Sequence, residues 1–118
     1  MQKKGESQRT WDVIGFGENS VDLIVTTAAL PPPDGKAQLD GLSTLPGGQI
    51  ATALIGCARL GLRTRYVGAF GADANGALVN GALTTAGVDT TLCRTIDGPT
   101  RTAIILVEST RQSRIVLW

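Results

Sequence analysis

Ile50, Ala53, Leu54, Cys57 and Ala58 recur at the i, i+3, i+4, i+7 and i+8 spacing of one helix stripe, directly after Pro46-Gly47-Gly48 and just before Gly61. A strand-like apolar segment lies on each side of this helix. Residues 11–17 (WDVIGFG) read as a short buried strand that ends in a glycine turn, and residues 65–70 as a second. Gly71-Ala72-Asp73 is then a turn whose Asp73 side chain can cap another helix. That helix is predicted over 74–86, with Leu78, Ala82 and Ala86 on one side and Gly87 at its end. Strand, helix, strand, helix in short succession is the pattern of an α/β unit with parallel strands, because a helical crossover is what joins two parallel strands.

The remaining segments are less regular. Glu18-Asn19-Ser20 forms a turn at a strand end, and residues 21–27 resume an apolar, β-branched pattern. Pro31-Pro32-Pro33-Asp34-Gly35 is a stiff loop that cannot join a central ladder, and residues 36–45 are weakly strand-like and more polar. After Thr90 the helical period disappears, which leaves 91–95, 103–108 and 114–118 as strand candidates. With 118 residues, 42% of them hydrophobic, the chain suffices for one small domain, expected over 11–118 behind a frayed polar arm at 1–10. The apolar run 115–118 has no closing turn, so a longer protein or a partner chain is expected to cover it.

Several function classes are excluded by composition. Eleven Lys and Arg against ten Asp and Glu leave a net charge of +1, so nucleic acid and anionic membranes are not expected partners. Histidine is absent, which removes Ser-His-Asp triads, Cys-His pairs and His-ligated zinc. Cys57 and Cys93 form no CxxC and read as two buried small apolar residues in a reducing cytosol. No apolar run approaches the ~18 residues of a membrane span, so a soluble cytoplasmic protein is expected. Gly15-Phe16-Gly17 starts like a dinucleotide fingerprint, but Ser20 stands where the third glycine is required and a strand follows instead of a helix. Gly35-Lys36 lacks the rest of a phosphate loop. Asp73-Ala74-Asn75-Gly76 imitates the start of a calcium loop without the acidic ligand at its end.

Two features point to ligand chemistry. Glycines at a helix start, here Gly47 and Gly48, let a ligand approach backbone N–H groups at the positive end of the helix dipole, although an ordinary loop into a helix has the same composition. Asp22, between Val21 and Leu23 and beside a strand-end turn, can accept two hydroxyl hydrogen bonds. Position alone slightly favours a carboxylate that faces solvent.

Gly17-Glu18-Asn19-Ser20-Val21-Asp22, Gly47-Gly48-Gln49-Ile50-Ala51-Thr52-Ala53, Ala58-Arg59-Leu60-Gly61 and the run from Val67 through Gly71 and Asp73 to Gly76 together resemble the N-terminal half of a ribokinase-like, PfkB-type carbohydrate kinase. The order and spacing agree from about Asp12 to Trp118. The resemblance implies an α/β fold with a mainly parallel central sheet, flanking helices and a strand lid over 21–44 and 101–118. It implies ATP-dependent phosphorylation of a sugar or nucleoside hydroxyl, with Mg2+ bridging the phosphates, and a possible homodimer through the lid strands.

It carries sugar binding to Asp22 and close approach to Gly47 and Gly48. Gln49 stands where many members have Asn or Lys, Thr52 where a later Asn is usual, and Ser20 where ribokinases proper often have Asn, so the identity of the sugar is open. The family's catalytic base and anion hole lie on a Gly-Ala-Gly-Asp helix start that these residues do not contain. Catalytic residues are therefore expected downstream of Trp118, and the chain alone is expected to be inactive. A non-catalytic sugar-binding or lid-mediated assembly module is the alternative; a downstream Gly-Ala-Gly-Asp in the parent reading frame would favour the kinase, and its absence the module.

Overall fold

A computed structural model describes residues 10–118, so the arm expected at 1–10 falls, except for Thr10, outside the described residues. In chain order the elements are β1 (Val13–Phe16), β2 (Ser20–Thr27), β3 (Gly41–Gly47), α1 (Gln49–Arg59), β4 (Thr64–Val67), β5 (Ala69–Gly71), α2 (Ala74–Thr85), β6 (Arg94–Ile96), β7 (Thr102–Glu108) and β8 (Ser113–Leu117). β1 pairs with β4 and β5 with β6, both in parallel. The other strands form a sheet in the order β3-β2-β7-β8, parallel at its centre between β2 and β7 and antiparallel at both flanks. The expected α/β architecture with parallel strands is present.

Both helices end as their glycines predict. Gly61 (φ 87°) follows Leu60, with Gly61 N–H donating to Ala58 O at 2.9 Å and Leu62 N–H to Cys57 O at 3.1 Å. Gly87 (φ 87°) repeats this, donating to Thr84 O at 3.0 Å while Val88 N–H reaches Leu83 O at 3.0 Å. These are Schellman ends, in which a residue without Cβ takes the left-handed conformation and the last carbonyls find donors. At the start of α2, Asp73 Oδ1 accepts from Gly76 N–H at 2.7 Å, as a cap should. The hydroxyl and N–H of Thr100, followed by the N–H of Gly76, hold the Asp73 carboxyl below its usual range.

The core is made by Val21, Ala51, Leu54, Tyr66, Phe70, Val79, Leu83 and Val88. Burying a side chain such as Leu54 or Leu83 stabilises the fold by about 1.5–3 kcal/mol each. Tyr66 and Phe70 pack ring against ring with centroids 6.0 Å apart.

The α1 stripe faces the core as read from the sequence apart from Ala53, whereas the face of α2 differs. In α1 the buried positions are Ala51 and Leu54, with Ile50, Ile55 and Ala58 packed beside them, while Ala53 is exposed. In α2 the buried positions are Gly76, Val79 and Leu83, and Leu78 is 41% exposed. α2 carries Ala, Gly or Leu almost all round, so periodicity fixes its rotation weakly. Gly76 sets it for α2, since a Cβ there would lie 2.2 Å from Gly71 O.

The strands differ too. β1 is covered on one face only: Gly15 lies against Leu54 and Ile50 of α1, whereas Ile14 and Phe16 are 61% and 80% exposed. The strand expected at 65–70 breaks at Gly68 into β4 and β5, which pair with different partners. The weak strand at 36–45 begins only at Gly41 and runs through Pro46, which an edge strand tolerates. The candidate at 91–95 shifts to Arg94–Ile96. Cys57 and Cys93 are half-buried and unpaired, and the Cys93 thiol donates to Tyr66 O at 3.3 Å.

Candidate functional site

The turn between β1 and β2 is held from beneath by the fully buried Tyr66. Its hydroxyl donates to Gly17 O at 2.7 Å and accepts from Asn19 Nδ2 at 2.8 Å, and Asn19 Nδ2 also donates to Ala69 O at 2.8 Å. A buried phenol and a buried amide are thus both satisfied, and burial is what pushes the Tyr66 pKa up. The turn in turn packs on the β3–α1 junction. Gly48 has φ 96°, and a Cβ there would lie 2.5 Å from Asn19 Cα and 2.8 Å from Glu18 O. A Cβ at Gly47 would sit 2.3 Å from Asp22 Oδ2. The two glycines therefore admit the chain's own Asn19 backbone and Asp22 carboxylate, in addition to any ligand.

Strand alternation then builds a wall. Ser20 and Asp22 share a face of β2, Ala103 lies opposite Asp22 on β7, and Ile105 lies opposite Val116 on β8. With Glu18, Gly48, Gln49, Arg101, Arg114 and Trp118 these residues line a cavity of about 420 Å³, within the range of small-molecule sites. Ser20 Oγ donates to Asp22 Oδ1 at 2.8 Å, and Asp22 Oδ2 has no hydrogen-bond partner among the described residues. Arg101 forms an ion pair with Glu18 at the rim. A carboxylate with spare acceptor capacity, facing a helix start, can accept ligand hydroxyls.

Of the five residues singled out from the sequence, the cavity brings together Asp22, Gly48 and Gln49, while Gly47 backs the Asp22 carboxylate from β3. Thr52 is exposed one helical turn beyond Gln49, and it does not line the cavity. Its N–H donates to Gly48 O at 2.9 Å. Sequence reasoning missed Glu18, Arg101, Arg114 and the apolar side chains of β7 and β8 as site residues. Alternation along each strand was readable, but the pairing of β2 with β7 that makes one wall of them was not.

The fold is that of the ribokinase-like α/β proteins. The ribokinase of Arabidopsis thaliana, solved with ribose and ATP, superimposes over 92% of this chain with a TM-score of 0.79 and 25% identity. The ribokinase of Giardia lamblia does so over 92% with a TM-score of 0.81 at 20% identity, a likeness of fold alone. Residues 12–118 match the pfkB family carbohydrate kinase profile, and the chain belongs to that family. In sequence it is 38% identical to the fructokinase of Escherichia coli over 93 residues, 79% of this chain and 26% of that protein. It is 29% identical to the nucleoside kinase of Methanothermobacter thermautotrophicus over 99 residues, 83% of this chain and 32% of that protein. The chain spans about a quarter to a third of these relatives' length. No helix among the described residues is long and apolar enough to cross a membrane.

Proposed function

We propose that this chain is the acceptor-binding part of a cytoplasmic, ATP-dependent sugar or nucleoside kinase. The observation that carries this reading is the Asp22 carboxylate, held by Ser20 on one oxygen and open on the other, in a cavity floored by Gly48 and Gln49. Asp22 accepts two hydroxyls of the acceptor and orients the one to be phosphorylated. Gln49 contributes to the choice among acceptors directly, and Thr52, exposed one turn further along α1, from outside the cavity lining. The sheet β3-β2-β7-β8 is the lid, and its strands are also the surface for a homodimer.

ATP and Mg2+ belong to the complete kinase. We assign both to the remainder of that kinase, because the Gly-Ala-Gly-Asp segment that the family resemblance calls for is not among these residues. Magnesium-bound ATP supplies the phosphoryl group. Phosphoryl transfer rests on positioning and charge stabilisation, and this chain supplies acceptor positioning without the base or the anion hole. By itself it is inactive.

A coupled ADP-release assay over D-fructose, D-ribose and adenosine tests the reading in the intact kinase and in the isolated chain. Sugar-dependent turnover is expected from the first and none above the blank from the second. Acceptor binding without turnover in the intact protein would favour a binding module instead.

A further inference from the structure

Asp73 does more than cap a helix. Capping α2 takes one hydrogen bond, from Gly76 N–H. The carboxylate also accepts from Thr100 N–H at 2.9 Å through Oδ2 and from Thr100 Oγ1 at 2.7 Å through Oδ1. Thr100 is buried, and its hydroxyl oxygen accepts from Gly71 N–H at 3.0 Å. The fit leaves no slack: a Cβ at Gly71 would lie 2.4 Å from Thr100 N, and one at Gly76 would lie 3.0 Å from Thr100 Oγ1. Gly71, Asp73 and Gly76 of the glycine-aspartate-glycine run thus grip a residue 27 positions downstream.

The gripped residue immediately precedes Arg101. Arg101 O accepts from Val21 N–H at 2.9 Å, and its side chain pairs with Glu18. Two residues on, Ala103 stands opposite Asp22. The Glu18–Arg101 pair lines the main cavity and also a second one of about 300 Å³ that Gly71 and Thr100 line from the other side.

We propose that Asp73 is a positioning residue for the acceptor site: it holds Thr100, and through Thr100 the start of β7, so that Arg101 meets Glu18 and β7 stays in register beside Asp22. Its kinetic consequence rests on the kinase reading above, while its structural consequence does not.

Asn caps helices as well as Asp, so Asp73→Asn spares α2 but puts an amide donor where Thr100 N–H needs an acceptor. Amide hydrogen exchange on the full chain, read by NMR, tests the grip. Val21 N–H should exchange at least tenfold faster in Asp73→Asn and in Thr100→Val, and remain near wild type in Thr100→Ser. Tyr66 and Ala77 N–H should stay within twofold in all three. Unchanged exchange at Val21, or equal acceleration at Tyr66, would overturn the proposal. With D-fructose as acceptor in the intact kinase, Asp73→Asn should raise KM at least threefold with kcat within twofold, and an unchanged KM would overturn it as well. If wild type phosphorylates none of D-fructose, D-ribose and adenosine, the kinase reading fails, and the exchange result alone decides for or against the grip.

Discussion

The α/β part of this molecule and its four-stranded sheet are stabilised in different ways. Around α1, α2, β1, β4 and β5, apolar side chains pack about the fully buried Tyr66 and Leu83. In the sheet β3-β2-β7-β8 the buried apolar residues are Val21 and Ala103, and every residue of β8 is exposed. What holds that sheet is its backbone ladder and a few polar pins. Asp73 fixes Thr100 at one end. At the other, the buried Glu108 accepts from Leu30 N–H at 3.2 Å and from Ser113 Oγ at 3.1 Å, tying the loop after β2 to the start of β8. A region held by exposed hydrogen bonds opens more readily than one held by a core. The candidate site lies on this looser region, where it borders the rigid one.

Core truncation should separate the two most strongly. Leu83→Ala is expected to lower global stability by about 2–5 kcal/mol in urea unfolding, and Ile115→Ala in β8 by less than ~1 kcal/mol. Equal losses would break the contrast. Gly48→Ala acts at the seam, where a left-handed φ and a backbone neighbour leave no room for a Cβ. It should cost about 1–3 kcal/mol and abolish acceptor binding, measured by unfolding and by calorimetry with D-fructose.

Acid sharpens the comparison further. The Thr91 hydroxyl and then Arg65 pull the Asp89 pKa down to about 2, from about 3.9 in an unfolded chain. Its contribution is fully present above about pH 4 and is lost as pH falls through 2, because the unfolded chain binds the proton first. Asp73 acts in the same sense at the seam. Stability should therefore fall on acidification in wild type, and the slope between pH 4 and 2 should flatten in Asp89→Asn, as read by unfolding at several pH values. The smallest effect is expected at the exposed Arg63–Asp12 pair, where Arg63→Ala should change stability by less than ~1 kcal/mol in the same unfolding assay.

The two regions were also unequally legible from sequence. Gly61, Asp73 and Gly87 punctuate the α/β part, so both helices could be placed within a residue or two. The rotation of α1 was legible too, since Ile50, Leu54 and Ala58 of the apolar stripe do face the core, but that of α2 was not, because the close contact of Gly76 with Gly71 rather than apolar periodicity decides which face turns inward. In the sheet, β3 was nearly invisible, being polar and ending in Pro46-Gly47. Asp22, Gly48 and Gln49 could be named because they sit on short local motifs. Glu18 and Arg101 could not be joined, being 83 positions apart and brought together only by the parallel pairing of β2 with β7.

The central claim is that Asp22 binds acceptor hydroxyls in the β2-β7 cavity, and steady-state kinetics of Asp22→Asn in the intact kinase test it most directly. Charge-assisted hydrogen bonds of this kind contribute about 1.5–3 kcal/mol each, so kcat/KM on the best acceptor should fall about tenfold or more while the protein stays folded. A wild-type kcat/KM in Asp22→Asn would contradict the account.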